Sequence, residues 1–240
     1  NVLYITLEMA EERIAERIDA NLLDVTMEDL HDMPKQLYEG KISKLREKTQ
    51  GQLVIKEYPT ASAHSGHFKS LMNELALKKS FRPDVIFIDY LNICASSRFK
   101  GGNISSYFYV KAIAEELRGL AVEFNVPIFS ATQTTRTGYV STDIGLEDTS
   151  ESFGLPATAD FMFALISNEE LEALGQMKVK QLKNRYNDPS INRAFIIGVD
   201  RAKMRLYDVE QKAGEIVDAN QVDEKEDAYN KFSDFKLWNT

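Results

Sequence analysis

The chain has 240 residues, 43% of them apolar and 28% charged, with a formal net charge of −8. That length and composition suit one sizeable globular core, and the acidic balance excludes a protein coated in basic patches for nucleic acid. A single cysteine, Cys94, excludes an intrachain disulfide framework and fits a reducing cytoplasm, and no apolar run approaches the roughly 20 residues of a membrane span.

The first residues, Asn1-Val2-Leu3-Tyr4-Ile5, look like the inside of a β-strand and carry no methionine, which predicts a fragment or a trimmed chain. Val2–Leu7 is read as that strand. Ile14, Ile18 and Leu22, at four-residue spacing, predict an amphipathic helix over 11–23. Thr26 is the expected N-cap of the next turn, with Asp29 three residues on, and a charged helix is expected over 35–49. Leu53–Tyr58 reads as a strand. Ser65 is the expected cap of a helix carrying Phe68, Leu71, Met72, Leu75 and Leu77. Val85-Ile86-Phe87-Ile88, set between Asp84 and Asp89, predicts a strand buried on both faces of a parallel sheet. A loop with Gly101-Gly102 leads to a long helix over 106–124, and Val126-Pro127-Ile128-Phe129 enters another strand. Residues 134–156 are polar, contain four glycine or proline residues and read as a mobile loop. Strands are expected over 159–166 and 178–182, then an antiparallel pair over 194–199 and 204–209.

This alternation predicts an α/β fold: a mostly parallel sheet joined by right-handed crossovers, with helices on both faces and antiparallel strands near the C-terminal end. One domain is expected over 1–209, followed by a loosely held tail over 210–240. Charge changes sign at that junction. Lys178 to Arg205 holds eight basic and two acidic residues, whereas Asp208 to Asp227 holds eight acidic and two basic ones.

Ligands of an open α/β sheet sit beyond the carboxyl ends of its strands. The first strand ends Thr6-Leu7-Glu8, the central one Ile88-Asp89, and the next Ser130-Ala131-Thr132-Gln133. Parallel strands would gather Glu8, Asp89 and Gln133 along one edge. Two carboxylates and an amide there suit metal-assisted phosphoryl transfer: one carboxylate organises Mg²⁺ and its waters, the other orients an attacking water, and the amide senses the terminal phosphate. Taken singly, each has a plainer explanation. Glu8 suits a helix start, Asp89 a structural strand end and Gln133 a loop cap; the joint order is the signal.

Here the sequence resembles a known family, the DnaB-type hexameric replicative helicases with a RecA-like motor domain, and within it the branch found in T-even-type tailed phages. Leu7-Glu8-Met9 resembles their catalytic-glutamate motif, Val85 through Leu91 their Walker B strand, and Val126-Pro127 through Thr132-Gln133 and on to Arg136 their phosphate-sensor strand. Asp148-Thr149-Ser150-Glu151-Ser152, followed by Ala159-Asp160, resembles the segment lining the DNA channel, and Lys183-Asn184-Arg185 the pair delivered to the neighbouring subunit's nucleotide.

The resemblance implies that Glu8 polarises the attacking water, Asp89 holds Mg²⁺ through water, Gln133 reads the γ-phosphate of ATP or another NTP, and Arg185 acts as an arginine finger in trans with Lys183 beside it. On spacing alone, Lys183 and Arg185 are a solvated basic strand end. It also implies ATP-driven unwinding of duplex DNA at a replication fork, by a homohexamer moving 5′-to-3′ on single-stranded DNA in the cytoplasm, the host's if phage-encoded. DNA contacts fall to Arg98, Lys100 and Gly101, whose loop reads equally as an ordinary surface loop, and to Ser150 and Glu151. Ser150 stands where many relatives carry a DNA-contacting arginine, which leaves backbone amides as the phosphate donors there.

The Walker A loop, G-x-x-x-x-G-K-[ST], is absent from these residues. The family places it upstream of the Glu8 strand, so the 240 residues alone are expected to hydrolyse little or no ATP. A RecA-like recombinase filament subunit and a P-loop-less regulatory or assembly paralogue are the competing readings. His64 and His67 lack the further ligands of a zinc site, and Cys94 reads as a packed residue. The tail ends with Tyr229, Phe232, Phe235, Leu237 and Trp238 among acids. It suits docking to a basic, hydrophobic partner groove, which the resemblance implies belongs to a helicase loader, primase or other replisome protein, or packing back on its own or a neighbouring subunit.

Overall fold

The computed structural model describes residues 1–99, 104–134, 145–146, 154–188, 191 and 193–211. Among these, β1 (Val2–Thr6), β2 (Leu53–Glu57), β3 (Val85–Asp89) and β4 (Ile128–Ser130) form a parallel sheet in the order β2-β1-β3-β4. A second, antiparallel sheet runs β5 (Phe161–Ile166), β6 (Gln176–Asn184), β7 (Ala194–Asp200) and β8 (Arg205–Asp208) in sequence order. The expected α/β architecture, with its antiparallel C-terminal strands, is therefore present.

Six helices belong to the first 124 residues or support the junction between the sheets: α1 (Glu11–Leu23), α2 (Met27–His31), α3 (Lys35–Lys48), α4 (Ser65–Lys79), α5 (Ser106–Phe124) and α6 (Gly154–Thr158). A short helix, α7 (Glu169–Ala173), follows β5. The spans of α1 and α5 match the expected ones. Each is closed by a residue in the left-handed region, Asp24 at φ 53° and Asn125 at φ 51°. Thr26 caps α2 as expected, accepting a hydrogen bond from the Asp29 amide at 3.0 Å.

The first sheet is sealed on one face. Leu3, Ile5, Ile86 and Ile88 point into a core completed by Phe68, Met72 and Leu75 of α4 and Val110, Ile113, Leu117 and Leu120 of α5. Each such side chain contributes about 1.5–3 kcal/mol by leaving water. The expectation that the central strand is buried on both faces needs correction. Its burial alternates, with Ile86 and Ile88 inside and Val85, Phe87 and Asp89 half-buried on the other side. On that side Tyr4, Phe87 and Phe129 sit in register across β1, β3 and β4. Their rings stack, with centroids 6.2 and 5.3 Å apart.

Other boundaries also move. His64, not Ser65, is the N-cap of α4: its Nδ1 accepts from the Gly66 amide at 3.0 Å, and His67 Nδ1 accepts from the His64 amide at 3.2 Å. The two histidines expected to hold no zinc are thus a capping pair. Leu77 is 86% exposed and lies outside the core. Residues 154–156, expected in the loop, open α6, and Asn168 caps the unanticipated α7. The β7–β8 turn is tied back to the α1–α2 corner. The Met27 amide donates to Ala202 O at 2.9 Å, Asn21 Nδ2 to Met204 O at 2.7 Å, and Asp24 pairs with Lys203 and Arg205 at 3.1 and 3.0 Å.

Candidate nucleotide and strand-separation site

The carboxyl edge of the parallel sheet is built from three strand ends that continue hydrogen bonding past their ladders. After β1, the Leu7 amide donates to Asp89 O at 2.8 Å, and Thr60 Oγ1 donates to Leu7 O at 2.7 Å. Thr6 is fully buried and closes the turn on itself: its Oγ1 donates to Met9 O at 2.8 Å and accepts from the Met9 amide at 3.0 Å. That turn leaves Glu8 exposed at its tip. Among the described residues no hydrogen bond or ion pair engages the Glu8 carboxylate.

Asp89 ends β3 in register with Thr6. Its Oδ2 accepts from the Tyr4 hydroxyl at 3.0 Å. Burial, then the charge and hydrogen bond of Asp89, push the Tyr4 phenol well above its ordinary value, so it stays a donor. Beyond a cis Asp89–Tyr90 peptide the chain makes a 3₁₀ turn over Leu91–Ile93. The Leu91 amide reaches across to Ala131 O at 3.2 Å, Ser130 Oγ donates to Ile88 O at 2.8 Å, and Gln133 Nε2 donates to the Tyr90 hydroxyl at 3.1 Å. Glu8, Asp89 and Gln133 therefore share one edge. Two buried polar atoms there, Asn92 Oδ1 and Thr132 Oγ1, have no partner among the described residues.

Among the described residues no cluster of three or more His, Cys, Asp or Glu side chains could cage a metal. Asp89 offers a single carboxylate with one oxygen already committed to Tyr4. Such a site fits an ion that keeps its waters and takes its remaining ligands from phosphates, as Mg²⁺ does.

Lys183 lies at the end of β6 and Arg185 just beyond it, and both donate to Ala157 O. Lys183 Nζ donates to Pro156 O at 2.5 Å, and Arg185 Nη1 to Asp160 Oδ1 at 2.8 Å. Burial, then the charge of Arg185, lowers the Lys183 pKa. Neither side chain touches the Glu8–Asp89–Gln133 edge of its own chain in any described contact.

Arg98 pairs with Glu115 at 2.5 Å. It borders a groove of about 590 Å³ lined by Phe99, Ile104, Phe108 and Lys111, which lies at the start of α5 and not at the sheet edge. Lys100, Gly101, Ser150 and Glu151 lie outside the described residues, as do Arg136 and the tail from residue 212 onwards. Cys94 is buried, as expected of a packed side chain, and burial followed by the charge of Glu116 pushes its thiol up to about 12, which favours the protonated form.

Tyr4, Thr6 and Tyr90 were not singled out from the sequence, and neither was Glu116 of α5. The Glu116 carboxylate accepts from Ser96 Oγ, Ser97 N, Ser97 Oγ and Ser65 Oγ at 2.6, 2.9, 2.7 and 2.8 Å, and so holds the entrance of the 96–105 loop. A tyrosine two positions before the strand end is the only signal that could have found Tyr4, since alternate residues share a face.

The fold and this edge define an α/β domain with a candidate nucleotide site at the carboxyl ends of its parallel strands. The chain belongs to the DnaB-like helicase C-terminal domain family, whose model matches residues 1–211. It is 45% identical over 239 residues to the DnaB-like replicative helicase of Enterobacteria phage T4, covering 96% of this chain and 50% of that protein. It is 35% identical over 138 residues to a probable plasmid replicative DNA helicase of Chlamydia trachomatis, covering 55% of this chain and 28% of that one. The chain thus spans about half or less of the relatives it matches. Two solved structures share the fold at a TM-score of 0.70 and 18% identity, each covering 87% of this chain: a DnaB-like replicative helicase studied with its primase interactions, and the ATPase domain of G40P. They cover 50% and 74% of those chains respectively. Among the described residues no helix is long and apolar enough to cross a membrane.

Proposed function

We propose that this chain is the hydrolysis and sensing half of an ATP-driven replicative DNA helicase motor. The observation that carries the reading is the shared edge of Glu8, Asp89 and Gln133, at or just beyond the carboxyl ends of three adjacent parallel strands of a chain in this family. Glu8, exposed and without a side-chain partner among the described residues, takes the proton of the attacking water. Asp89, oriented by Tyr4, would hold Mg²⁺ through water, and the ion would supply charge neutralisation at the phosphates. Gln133, braced by Tyr90, reads the terminal phosphate.

Arg185 and Lys183 act on the nucleotide of a neighbouring copy, because they stand away from this chain's own edge. That arrangement requires an oligomer, in keeping with a homohexameric ring. Single-stranded DNA is threaded through the ring, with contacts from Arg98, Lys100, Gly101, Ser150 and Glu151. A loader and a primase are the partners in keeping with the family, and the acidic, aromatic tail is the segment suited to them. Movement is 5′-to-3′, and the setting is the cytoplasm in which the replication fork sits.

Hydrolysis also needs a phosphate-binding loop, which these 240 residues do not contain. The chain spans about half the length of the phage T4 relative. A P-loop-less regulatory subunit is the alternative that the test below distinguishes. Family membership favours the helicase over a recombinase filament.

The test is Arg185→Ala in the full-length protein. Hydrolysis is expected to fall by about 10³-fold while nucleotide binding is retained. Normal turnover would overturn the trans assignment, and failure of the full-length wild type to bind nucleotide would favour the regulatory subunit.

A further inference from the structure

Arg185 is held by one residue at both its ends. Its amide donates to Asp160 O at 2.9 Å, and its Nη1 donates to Asp160 Oδ1 at 2.8 Å. The other oxygen of that carboxylate, Oδ2, accepts from Arg118 Nη1 of α5 at 2.5 Å, and Arg118 also donates to Thr158 O at 3.0 Å. Around them, Arg185 Nη2 and Lys183 Nζ donate to Ala157 O at 3.3 and 3.4 Å. These are the carbonyls that the last turn of α6 leaves without helical partners. Three cations thus close the end of α6, and a single carboxylate bridges two of them.

We propose that Asp160 is a positioning residue for Arg185. It fixes the guanidinium at the end of β6 so that its reach toward a neighbouring copy's nucleotide is set before that nucleotide arrives, with Arg118 anchoring the carboxylate to α5. The proposal rests on the reading of Arg185 as trans-acting. An unrestrained arginine must lose rotamer freedom each time it engages a phosphate, and prior orientation removes that loss from the reaction step. The chemistry calls for a carboxylate. Two guanidiniums approach Asp160 from opposite sides, and only an acceptor with two charged oxygens satisfies both. An asparagine would turn an N–H group toward one of them. The neighbouring guanidiniums also account for the direction of the Asp160 pKa: hydrogen bonding to Arg118, against burial, and then the charges of Arg118 and Arg185 hold it below the usual carboxylate range.

The experiment measures single-turnover ATP hydrolysis by the full-length ring with single-stranded DNA, for Asp160→Asn, Asp160→Glu, Arg185→Ala and the Asp160→Asn/Arg185→Ala double variant. Asp160→Asn is expected to lower the hydrolysis step about tenfold with an unchanged KM for ATP, and Asp160→Glu to recover part of it. In the Arg185→Ala background the Asp160→Asn substitution is expected to add no further loss. An equal loss in both backgrounds, or no loss in the wild-type one, overturns the proposal. If Asp160→Asn fails to assemble, Arg118→Lys serves instead: it keeps the charge and weakens the anchor, and its smaller loss must likewise vanish without Arg185. An inactive Arg185→Ala ring beside a fully active Asp160→Asn ring defeats this proposal alone, whereas normal turnover in Arg185→Ala defeats the trans reading beneath it.

Discussion

Replacing Glu116 by glutamine should destabilise the chain at neutral pH and much less in acid. The carboxylate accepts from three serine hydroxyls and the Ser97 amide, all within 2.9 Å. A glutamine offers one oxygen and an NH₂ group among those donors. The hydroxyls can turn to accept from it; the Ser97 N–H cannot. Hydrogen bonds to a charged group are worth about 1.5–3 kcal/mol against about 1 for neutral ones, and solvent screening at this half-buried site reduces the difference. The expected cost is therefore about 1–2 kcal/mol, a drop in Tm of about 2–8 °C.

The pH dependence follows from the carboxyl's position. Burial raises the Glu116 pKa, but the donors from Ser96, Ser97 and Ser65 outweigh it and hold the group at about 2, against an unfolded value of about 4.3. A depressed pKa contributes stability that is whole above the unfolded value and is lost as pH falls toward the folded one. Urea unfolding followed by circular dichroism, on wild type and Glu116→Gln, should show a gap at about pH 7 that narrows steadily below about pH 4.5. A gap as wide at about pH 3 as at neutrality, or none at neutrality, would refute the electrostatic account of this carboxylate.

Tyr4→Phe keeps the ring stacked on Phe87 and removes the hydroxyl from Asp89; under the proposed function the full-length protein should need several-fold more Mg²⁺ for half-maximal hydrolysis, and an unchanged Mg²⁺ titration would contradict the orienting role. Thr6→Val removes both hydrogen bonds to Met9 at a fully buried site, and should cost about 1–3 kcal/mol in denaturant unfolding. It should also lower turnover through the loosened Glu8 turn, and wild-type stability in that variant would show that the turn does not depend on Thr6.

The elements that were legible in the sequence are those whose signals are local. Ile14, Ile18 and Leu22 announce α1 by their spacing, and the apolar run before Asp89 announces β3. Thr26 has the chemistry of an N-cap. Strand ends lie where runs of apolar residues stop, which is why the sequence alone places Glu8, Asp89 and Gln133 at strand ends. What escaped depends on contacts between distant residues. A histidine cap at His64 is an uncommon choice, and Ser65 looks like the better one until its hydroxyl is seen to serve Glu116. The roles of Asp160 and Arg118 are set by a pairing 42 residues apart, which no spacing rule encodes. The half-exposed face of β3 that carries Phe87 is not legible in the sequence, because an apolar run says how greasy a strand is and not what lies on each side of it. β6 runs past Leu182 through polar residues to Asn184, because ladder partners Met162 and Phe161 continue opposite them.

The most direct test of the motor assignment is strand displacement on a forked DNA by the full-length protein with Mg²⁺ and ATP, run beside its Glu8→Gln variant. The proposed function predicts that the wild type unwinds a fork bearing a 5′ single-stranded tail and that Glu8→Gln binds nucleotide and DNA yet separates no strands. Unwinding at the wild-type rate by Glu8→Gln, or no unwinding by a wild type that binds both ligands, would contradict it.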